Sequence, residues 1–319
     1  MARSLDPKND FSIVVPLYNK AGYIDKTIRS VLAQTYPGFE VLIVDDGSTD
    51  NSLEIVQSFS DERIRIISQK NSGVSNARNT GIKAAKYDLI ALLDGDDWWD
   101  ERYLEEMMGL IREYPNVSIY SSQFAFFYNG KSYPSVALRK NSAQKTDCFD
   151  CLQVGVSLKH LPIHTSSIIF RKDILQQAGL FDERITYFED HDLFIRISVF
   201  SKWAYLEKRP LSFYNLDIPG YQRITGKLPK IENHLLYYID KFEALYPACA
   251  FLQPYMDIFV LNSLYDLRYC RNYKTFKCTK LKNIPWKKFS CKQIVKYYVP
   301  ACVTDLLRKI HLKIKGHPF

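Results

Sequence analysis

The first hundred residues alternate two kinds of segment, and this alternation restricts the fold more than any other feature of the chain. Phe11–Leu17 (Phe-Ser-Ile-Val-Val-Pro-Leu) is a short apolar run rich in β-branched residues. Residues 39–44, 64–68 and 88–93 form three more such runs. Between the first two, Ile24, Ile28, Val31 and Leu32 recur at i, i+4, i+7 and i+8. That spacing predicts a helix over 22–35. Further helices are expected over 50–59, with Asp50 a candidate N-cap, and over 75–86 and 101–113. A strand that is apolar throughout has no face to show to water. Four of them, separated by amphipathic helices, predict an α/β fold whose parallel sheet is covered on both sides.

In such sheets ligands bind beyond the carboxyl ends of the strands, and here those ends are polar. They read Tyr18-Asn19, Asp45-Asp46-Gly47-Ser48, Asn71-Ser72-Gly73 and Asp94-Gly95-Asp96-Asp97. Two Asp at i and i+2 with Gly between them can reach one small volume. Mg²⁺ or Mn²⁺ bridged to phosphates takes only one or two carboxylates. The Asp94/Asp96 pair therefore suits a metal or a nucleotide ribose. The plainer account, helix capping, covers Asp97 or Asp100 but not Asp94, which follows an apolar strand. Asp45-Asp46-Gly47-Ser48 alone would pass for a turn. Its place at a second strand end makes it a candidate too.

The middle, 115–225, is less regular. A short helix is expected over 173–178, closed by Gly179, and another over 190–201. The second opens with Glu189-Asp190-His191-Asp192. These acids fit an N-terminal turn. They also fit a general base, since apolar neighbours on both sides place them on packed structure. His164 and His191 lie near these segments and read as structural histidines. Helical stripes follow at Ile231, Leu235, Ile239 and Phe242, and again at Met256, Phe259, Val260, Ser263, Leu264 and Leu267.

Several chemistries lack their motifs. There is no G-x-x-x-x-G-K-[ST] loop, no G-x-G-x-x-G after the first strand, no G-x-S-x-G elbow and no H-E-x-x-H. Seven cysteines are scattered, and the one C-x-x-C, Cys148 to Cys151, has no second pair at zinc-site spacing. Reduced thiols of a cytosolic protein are the expectation. No segment reads as a signal peptide or a spanning helix. The 319 residues carry a net charge of +8. That excess is local. Residues 271–319 hold thirteen Lys/Arg against Asp305 alone, a net of +12, and the rest of the chain is at −4. A slightly acidic body with a basic tail argues against nucleic acid as a partner of the body.

The segments Ser12-Ile13-Val14-Val15-Pro16-Leu17-Tyr18-Asn19-Lys20, Val44-Asp45-Asp46-Gly47-Ser48-Thr49-Asp50, Asn71-Ser72-Gly73-Val74-Ser75-Asn76-Ala77-Arg78-Asn79 and Leu92-Leu93-Asp94-Gly95-Asp96-Asp97-Trp98-Trp99, with the later Phe188-Glu189-Asp190-His191-Asp192-Leu193, resemble the family 2 glycosyltransferases in the family's order. The resemblance covers roughly 10–225. It implies a GT-A fold, a mixed, mainly parallel sheet flanked by helices, over 1–225. The nucleotide-binding half would be about 10–115 and the acceptor half about 116–225, with a helical, basic extension over 226–319. It also implies residue roles. Pro16, Tyr18 and Asn19 would line the base pocket, Tyr18 stacking. Asp46, with Asp45 beside it, would bind base or ribose. Arg78 would support the nucleotide and the carboxylates. Asp94 would contact ribose or donor sugar, and Asp96 would bind Mg²⁺ or Mn²⁺. Asp190 would be the general base, with Glu189 in support. The Q-x-x-R-W signature of processive synthases is absent despite Gln222-Arg223. Arg223, after Gly220, is placed in a loop that could close over the diphosphate.

The expected activity is an inverting transfer from a nucleotide sugar, a uridine diphosphate sugar foremost, to a hydroxyl of a glycan or lipid-linked acceptor in surface-polysaccharide synthesis. A polyprenyl-phosphate acceptor is the nearest alternative. A sugar-phosphate nucleotidyltransferase would need a Gly-rich basic loop where Pro16-Leu17-Tyr18-Asn19-Lys20 stands, and a non-catalytic binding protein would not need the carboxylates. In the tail, Val303, Leu306, Leu307, Ile310 and Ile314 share one helical face, flanked by Arg308, Lys309, Lys313 and Lys315. A basic amphipathic segment suits an anionic membrane surface, so a peripheral place on the inner face of the cytoplasmic membrane is expected.

Overall fold

The computed structural model describes residues 10–135, 148–158, 160–186, 188–218, 241–242 and 245–267. The chain divides into two compact units, Met1–Gly226 and Lys227–Phe319. The first begins with β1 (Phe11–Leu17), α1 (Ile24–Leu32), β2 (Phe39–Asp45), α2 (Ser52–Gln57), β3 (Ile64–Ser68), α3 (Val74–Ala84) and β4 (Leu89–Leu92). A short β5 (Trp98–Trp99) and α4 (Tyr103–Glu113) follow, then β6 (Ile119–Ser122), β7 (Phe124–Tyr128) and β8 (Lys131–Pro134). Next come β9 (Cys148–Phe149), α5 (Cys151–Leu158), a 3-10 turn at Thr165–Ser167, β10 (Ile168–Arg171) and α6 (Ile174–Ala178). The unit's last described elements are α7 (Glu189–Phe200), β11 (Trp203–Leu206) and β12 (Ser212–Asn215).

The main sheet has the order β3-β2-β1-β4-β10-β6-β11-β9. Strands β3, β2, β1 and β4 are parallel. Strand β10 is antiparallel to both β4 and β6, and β11 returns parallel to β6. The sheet is thus mixed and mainly parallel. Ile13, Val14, Val15 and Leu17 of β1 are at most 1% exposed, which explains why that strand is apolar on both faces. Helix α1 buries Ile24, Thr27, Ile28 and Val31, one stripe at helical spacing. Gly81 lets α3 lie against β1, because a Cβ there would stand 2.4 Å from Val14 Cγ1. This close packing fixes α3, and with it Arg78, over the centre of the sheet. A second sheet, ordered β5-β12-β7-β8, stands beside the first.

Asp50 does not cap α2. The N-cap is Asn51, without a side-chain cap bond, and the Asp50 carboxylate instead accepts the N–H groups of Ser52 at 3.0 Å and Ala21 at 3.1 Å. It ties the start of α2 to the turn after β1. Cys148, Cys151 and Cys249 are free thiols.

In the second unit, a 3-10 turn at Tyr246–Ala248 precedes α8 (Leu252–Leu267), which contains the Met256–Leu267 stripe. Leu252, Tyr255, Met256 and Phe259 are buried. The stripe at Ile231, Leu235 and Ile239, the segment with Gly220 and Arg223, and the basic tail lie outside the described residues. No helix among the described residues is long and apolar enough to cross a membrane.

Candidate active site

Because β1 to β4 are parallel, their carboxyl ends share one edge of the sheet. Pro16 is half-buried at the end of β1, and Tyr18 just beyond it is 45% exposed. Asn19 adopts a left-handed backbone with φ 51°. Its side-chain oxygen accepts the Thr49 N–H at 2.8 Å, and its own N–H donates to Ser48 Oγ at 3.2 Å. The ends of β1 and β2 are thereby joined. Asp45 and Asp46 are both buried. Asp45 accepts the Ser48 N–H at 3.1 Å. Asp46 accepts Gln69 Nε2 and the N–H groups of Ser72 and Gly73, each at 2.8 Å. In the structure Asp46 is therefore the anchor of the 69–73 loop.

Beyond β4 the three Asp residues separate. Gly95 approaches Pro16, whose oxygen would lie 3.1 Å from a Cβ. This contact draws the acidic turn against the end of β1. Asp94 and Asp96 keep 27% and 15% of their side chains exposed. Asp96 is ion-paired with Lys20, a residue to which sequence analysis assigned no role. Asp97 is 1% exposed and caps no helix, so of the two residues offered as caps it is not the one. It accepts Ser166 Oγ–H at 2.5 Å and the Asn215 N–H at 2.9 Å. Burial, with Asp96 and Asp94 nearby, pushes its carboxyl well above the usual carboxylate range. Asp100 does accept the Arg102 N–H at 3.1 Å, just before α4.

Arg78 joins the two halves of the site. It is 3% exposed. One guanidinium nitrogen donates to Asp94 Oδ1 at 2.7 Å, and the other to Glu189 Oε1 at 2.8 Å. Burial disfavours its charge, but Asp94 and Glu189 outweigh this and hold its pKa above the usual arginine value. Asn79, the next residue of α3, grips the segment before α7 through Phe181. Its amide donates to the Phe181 carbonyl at 2.9 Å and accepts the Phe181 N–H at 3.0 Å.

Asp190 follows Glu189 in the first turn of α7. Its Oδ2 accepts the Thr165 hydroxyl at 3.0 Å, and its Oδ1 accepts the His191 N–H at 2.7 Å. His191 Nδ1 lies 3.2 Å from the same oxygen. Burial raises the Asp190 pKa, but His191 and Arg78 outweigh it, so the carboxyl is held below the usual carboxylate range. The Glu189 carboxyl is raised by burial and by Asp190, against the pull of Arg78. His191 is disfavoured as a cation by burial and favoured more strongly by Asp190, so its pKa rises. Two adjacent carboxyls are thus pushed apart, the pattern by which sites assign acid and base roles.

The 3-10 turn is the hub that sequence reasoning missed. Ser166 bonds Asp97 through its hydroxyl and accepts the Asp94 N–H at 3.1 Å, while its carbonyl accepts Trp99 Nε1 at 2.6 Å. Thr165 holds Asp190. His164 Nδ1 accepts the Ser166 N–H at 3.3 Å, and the ring stacks on Tyr214 with centroids 4.2 Å apart. Burial drives His164 toward the neutral form, against Asp94, Asp190 and Asp96. The available signal was a polar run, His164-Thr165-Ser166-Ser167, entering the apolar strand Ile168-Ile169-Phe170. The structure thus brings Asp94, Arg78, Glu189 and Asp190 into one connected network, and pairs Asp96, on the same acidic turn as Asp94, with Lys20 from the turn after β1.

Among the described residues no group of three or more His, Cys, Asp or Glu is arranged to hold a metal. A divalent ion shared with a diphosphate needs fewer protein ligands, one or two carboxylates. Asp96 fits that need: its oxygens are hard, partly exposed and already paired with a cation, Lys20.

Comparison with known proteins agrees with this architecture. The family model described as glycosyl transferase family 2 matches residues 12–177. The chain is 42% identical to the glycosyltransferase GlyA of Streptococcus pneumoniae over 105 residues, which are 32% of this chain and 15% of GlyA. It is 30% identical to the glycosyltransferase RP339 of Rickettsia prowazekii over 190 residues, 59% of each protein. The chain therefore spans less than two thirds of either relative. Among solved structures, TarS of S. aureus in complex with UDP-GlcNAc is similar at a TM-score of 0.61 and 17% identity, over 90% of this chain and 78% of that one. The mannosyltransferase PcManGT of Pyrobaculum calidifontis in complex with GDP-Man and Mn²⁺ is similar at a TM-score of 0.51 and 16% identity, over 97% and 91%. At such identities these structures bear on the fold alone. The family match covers more than half of the chain, and the chain belongs to glycosyl transferase family 2.

Proposed function

We propose that this chain transfers a sugar, with inversion, from a nucleoside diphosphate sugar to an acceptor hydroxyl, and that the donor is a uridine diphosphate sugar. The observation that carries the reading is the Arg78 bridge, which ties Asp94 beyond β4 to the Glu189-Asp190 turn of α7. An inverting displacement needs a carboxylate on the acceptor side and charge control on the leaving group. In this reading Tyr18 stacks on the base, with Pro16 and Asn19 beside it. Asp45 and Asp46 shape the pocket wall through the Ser48 and 69–73 contacts. Asp94 faces the ribose or the donor sugar. Asp190 takes the proton of the attacking hydroxyl, and Glu189 with Arg78 holds it in place. Lys20, paired with Asp96, would add a second positive charge for the diphosphate. Asp96 would hold Mg²⁺ or Mn²⁺, whose chemistry there is neutralisation of negative charge on the departing diphosphate. The fold neighbours are in complex with UDP-GlcNAc and with GDP-Man and Mn²⁺, so this fold accommodates donors and an ion of the proposed kind.

A panel of nucleotide sugars tests the reading, with Mn²⁺ present and the product followed by proton NMR. One uridine diphosphate sugar is expected to be consumed with inversion at its anomeric carbon, and excess EDTA or Asp96→Ala is expected to suppress the reaction. Retention of configuration, or full activity in EDTA, would contradict it.

The acceptor in this reading is part of a lipid-linked glycan in surface-polysaccharide synthesis, reached at the inner face of the cytoplasmic membrane. The support is the basic tail, where each Lys/Arg near an anionic surface contributes about 1 kcal/mol. The full chain is expected to float with vesicles containing phosphatidylglycerol at low salt and to be released by high salt. Absence of flotation at low salt would remove this part of the proposal.

A further inference from the structure

The second sheet carries a row of rings that begins at the carboxylate site and runs outward. Along β7, Phe124, Phe126 and Tyr128 alternate onto one face, and the register sets Phe126 beside Tyr214 of β12 and Tyr133 of β8. The inner end of the row is His164, stacked on Tyr214 at 4.2 Å and 5.4 Å from Phe124. Phe126 then lies 5.2 Å from Phe124 and 6.1 Å from Tyr214. Burial falls off along the row: Phe124 is 7% exposed, Phe126 37% and Tyr128 40%. The neighbour of His164 in sequence, Thr165, donates its hydroxyl to Asp190. The row therefore starts one residue from the group that holds the base.

The chemistry of the row is mixed. His164 Nδ1 accepts the Ser166 N–H, which places the ring hydrogen on Nε2. Among the described residues that Nε2–H has no hydrogen-bond partner. Tyr214 and Tyr133 add phenol groups to otherwise apolar faces. A pyranose ring has the complementary make-up, with a C–H face that lies on an aromatic ring and hydroxyls at its rim that need donors and acceptors. An isoprenoid chain would leave the His164 Nε2–H unmet.

We propose that the His164–Tyr214–Phe126 row is the acceptor subsite, that it takes a pyranose ring of a glycan, and that His164 Nε2–H donates a hydrogen bond to an oxygen of that ring near the attacking hydroxyl. The proposal rests on Asp190 as the base, and it names the acceptor's chemical class. His164 acts on the acceptor, and Tyr214 and Phe126 set its orientation.

Saturation-transfer NMR on the full chain tests it, with the methyl pyranosides of glucose, galactose, mannose and N-acetylglucosamine as probes and geranyl phosphate as the rival. Binding of uridine diphosphate is measured by calorimetry on the same samples. At least one pyranoside is expected to be saturated at its ring C–H protons. Phe126→Ser, at an exposed position, is expected to weaken it about tenfold, and so is His164→Phe, which keeps a stacking ring but removes the donor. Uridine diphosphate affinity is expected to stay unchanged in Phe126→Ser, which shows that this variant is folded. No saturation of any pyranoside by a chain that binds uridine diphosphate overturns the proposal. So does undiminished pyranoside binding in both variants, or Phe126-dependent saturation of geranyl phosphate in place of the sugars. Failure of the parent chain to bind uridine diphosphate would count instead against the donor reading.

Discussion

Replacing Asp190 by asparagine is expected to lower turnover about 10²–10⁴-fold, the usual contribution of a general base, while the affinity for the donor nucleotide stays as it was. The physical reason is the separation of tasks in the site. Asp190 belongs to α7 and is held by Thr165 and by His191. The residues proposed for the nucleotide are beyond β1, β2 and β4. Asparagine keeps the shape and one of the two accepting oxygens, so the His191 N–H bond is retained while the Thr165 hydroxyl turns to accept from the new amide, but asparagine cannot take a proton. His191 and Arg78 keep Asp190 ionised, so the parent carries the base in its working form at neutral pH. Steady-state turnover against a uridine diphosphate sugar reads the loss.

Replacing Arg78 by methionine is expected to cost stability outright. Removing one partner of a buried ion pair typically costs about 3–5 kcal/mol, because the remaining charge stays buried without compensation. Here two carboxylates lose their cation, Asp94 at 2.7 Å and Glu189 at 2.8 Å. At about 2–4 °C per kcal/mol, thermal unfolding would fall by roughly 6–20 °C. The sign of the pH dependence follows from Glu189. Its folded pKa is already raised by burial and Asp190, with Arg78 opposing, and loss of Arg78 raises it further. A carboxyl whose pKa is higher folded than unfolded binds more protons in the folded state. Its cost appears as pH climbs through that window and is relieved on acidification. The gap between Arg78→Met and the parent should therefore narrow from about pH 7.5 to about pH 5, as scanning calorimetry would show. Adding Glu189→Gln to Arg78→Met should recover part of the loss at neutral pH. A melting temperature unchanged by Arg78→Met would mean that the bridge does not hold the site together.

What sequence could show depended on how local each cause was. Strands β1, β2 and β4 were legible because being buried on both faces leaves a mostly apolar run, and α1 because one buried stripe sets its spacing; β3, at the sheet edge, is only half-buried. The second sheet was not, because β5 and β12 are two and four residues long and are held by partners far along the chain. Asp94 stood out because it directly follows an apolar strand. The choice between Asp97 and Asp100 as the residue before α4 was not legible for the opposite reason, since the partners of Asp97, Ser166 and Asn215, are 69 and 118 residues away. His164 was read as structural because an isolated histidine carries no local sign of the carboxylates that two other segments, 94–97 and Asp190, bring to it. The Lys20–Asp96 pair, 76 residues apart in the chain, escaped notice for the same reason.

The measurement bearing most directly on the carboxylate assignment pairs two readings on one preparation of Asp190→Asn: affinity for uridine diphosphate with Mn²⁺ by calorimetry, and turnover with a uridine diphosphate sugar. Parent-like affinity with turnover lower by about 10²–10⁴-fold is the predicted result. Turnover equal to that of the parent would contradict it.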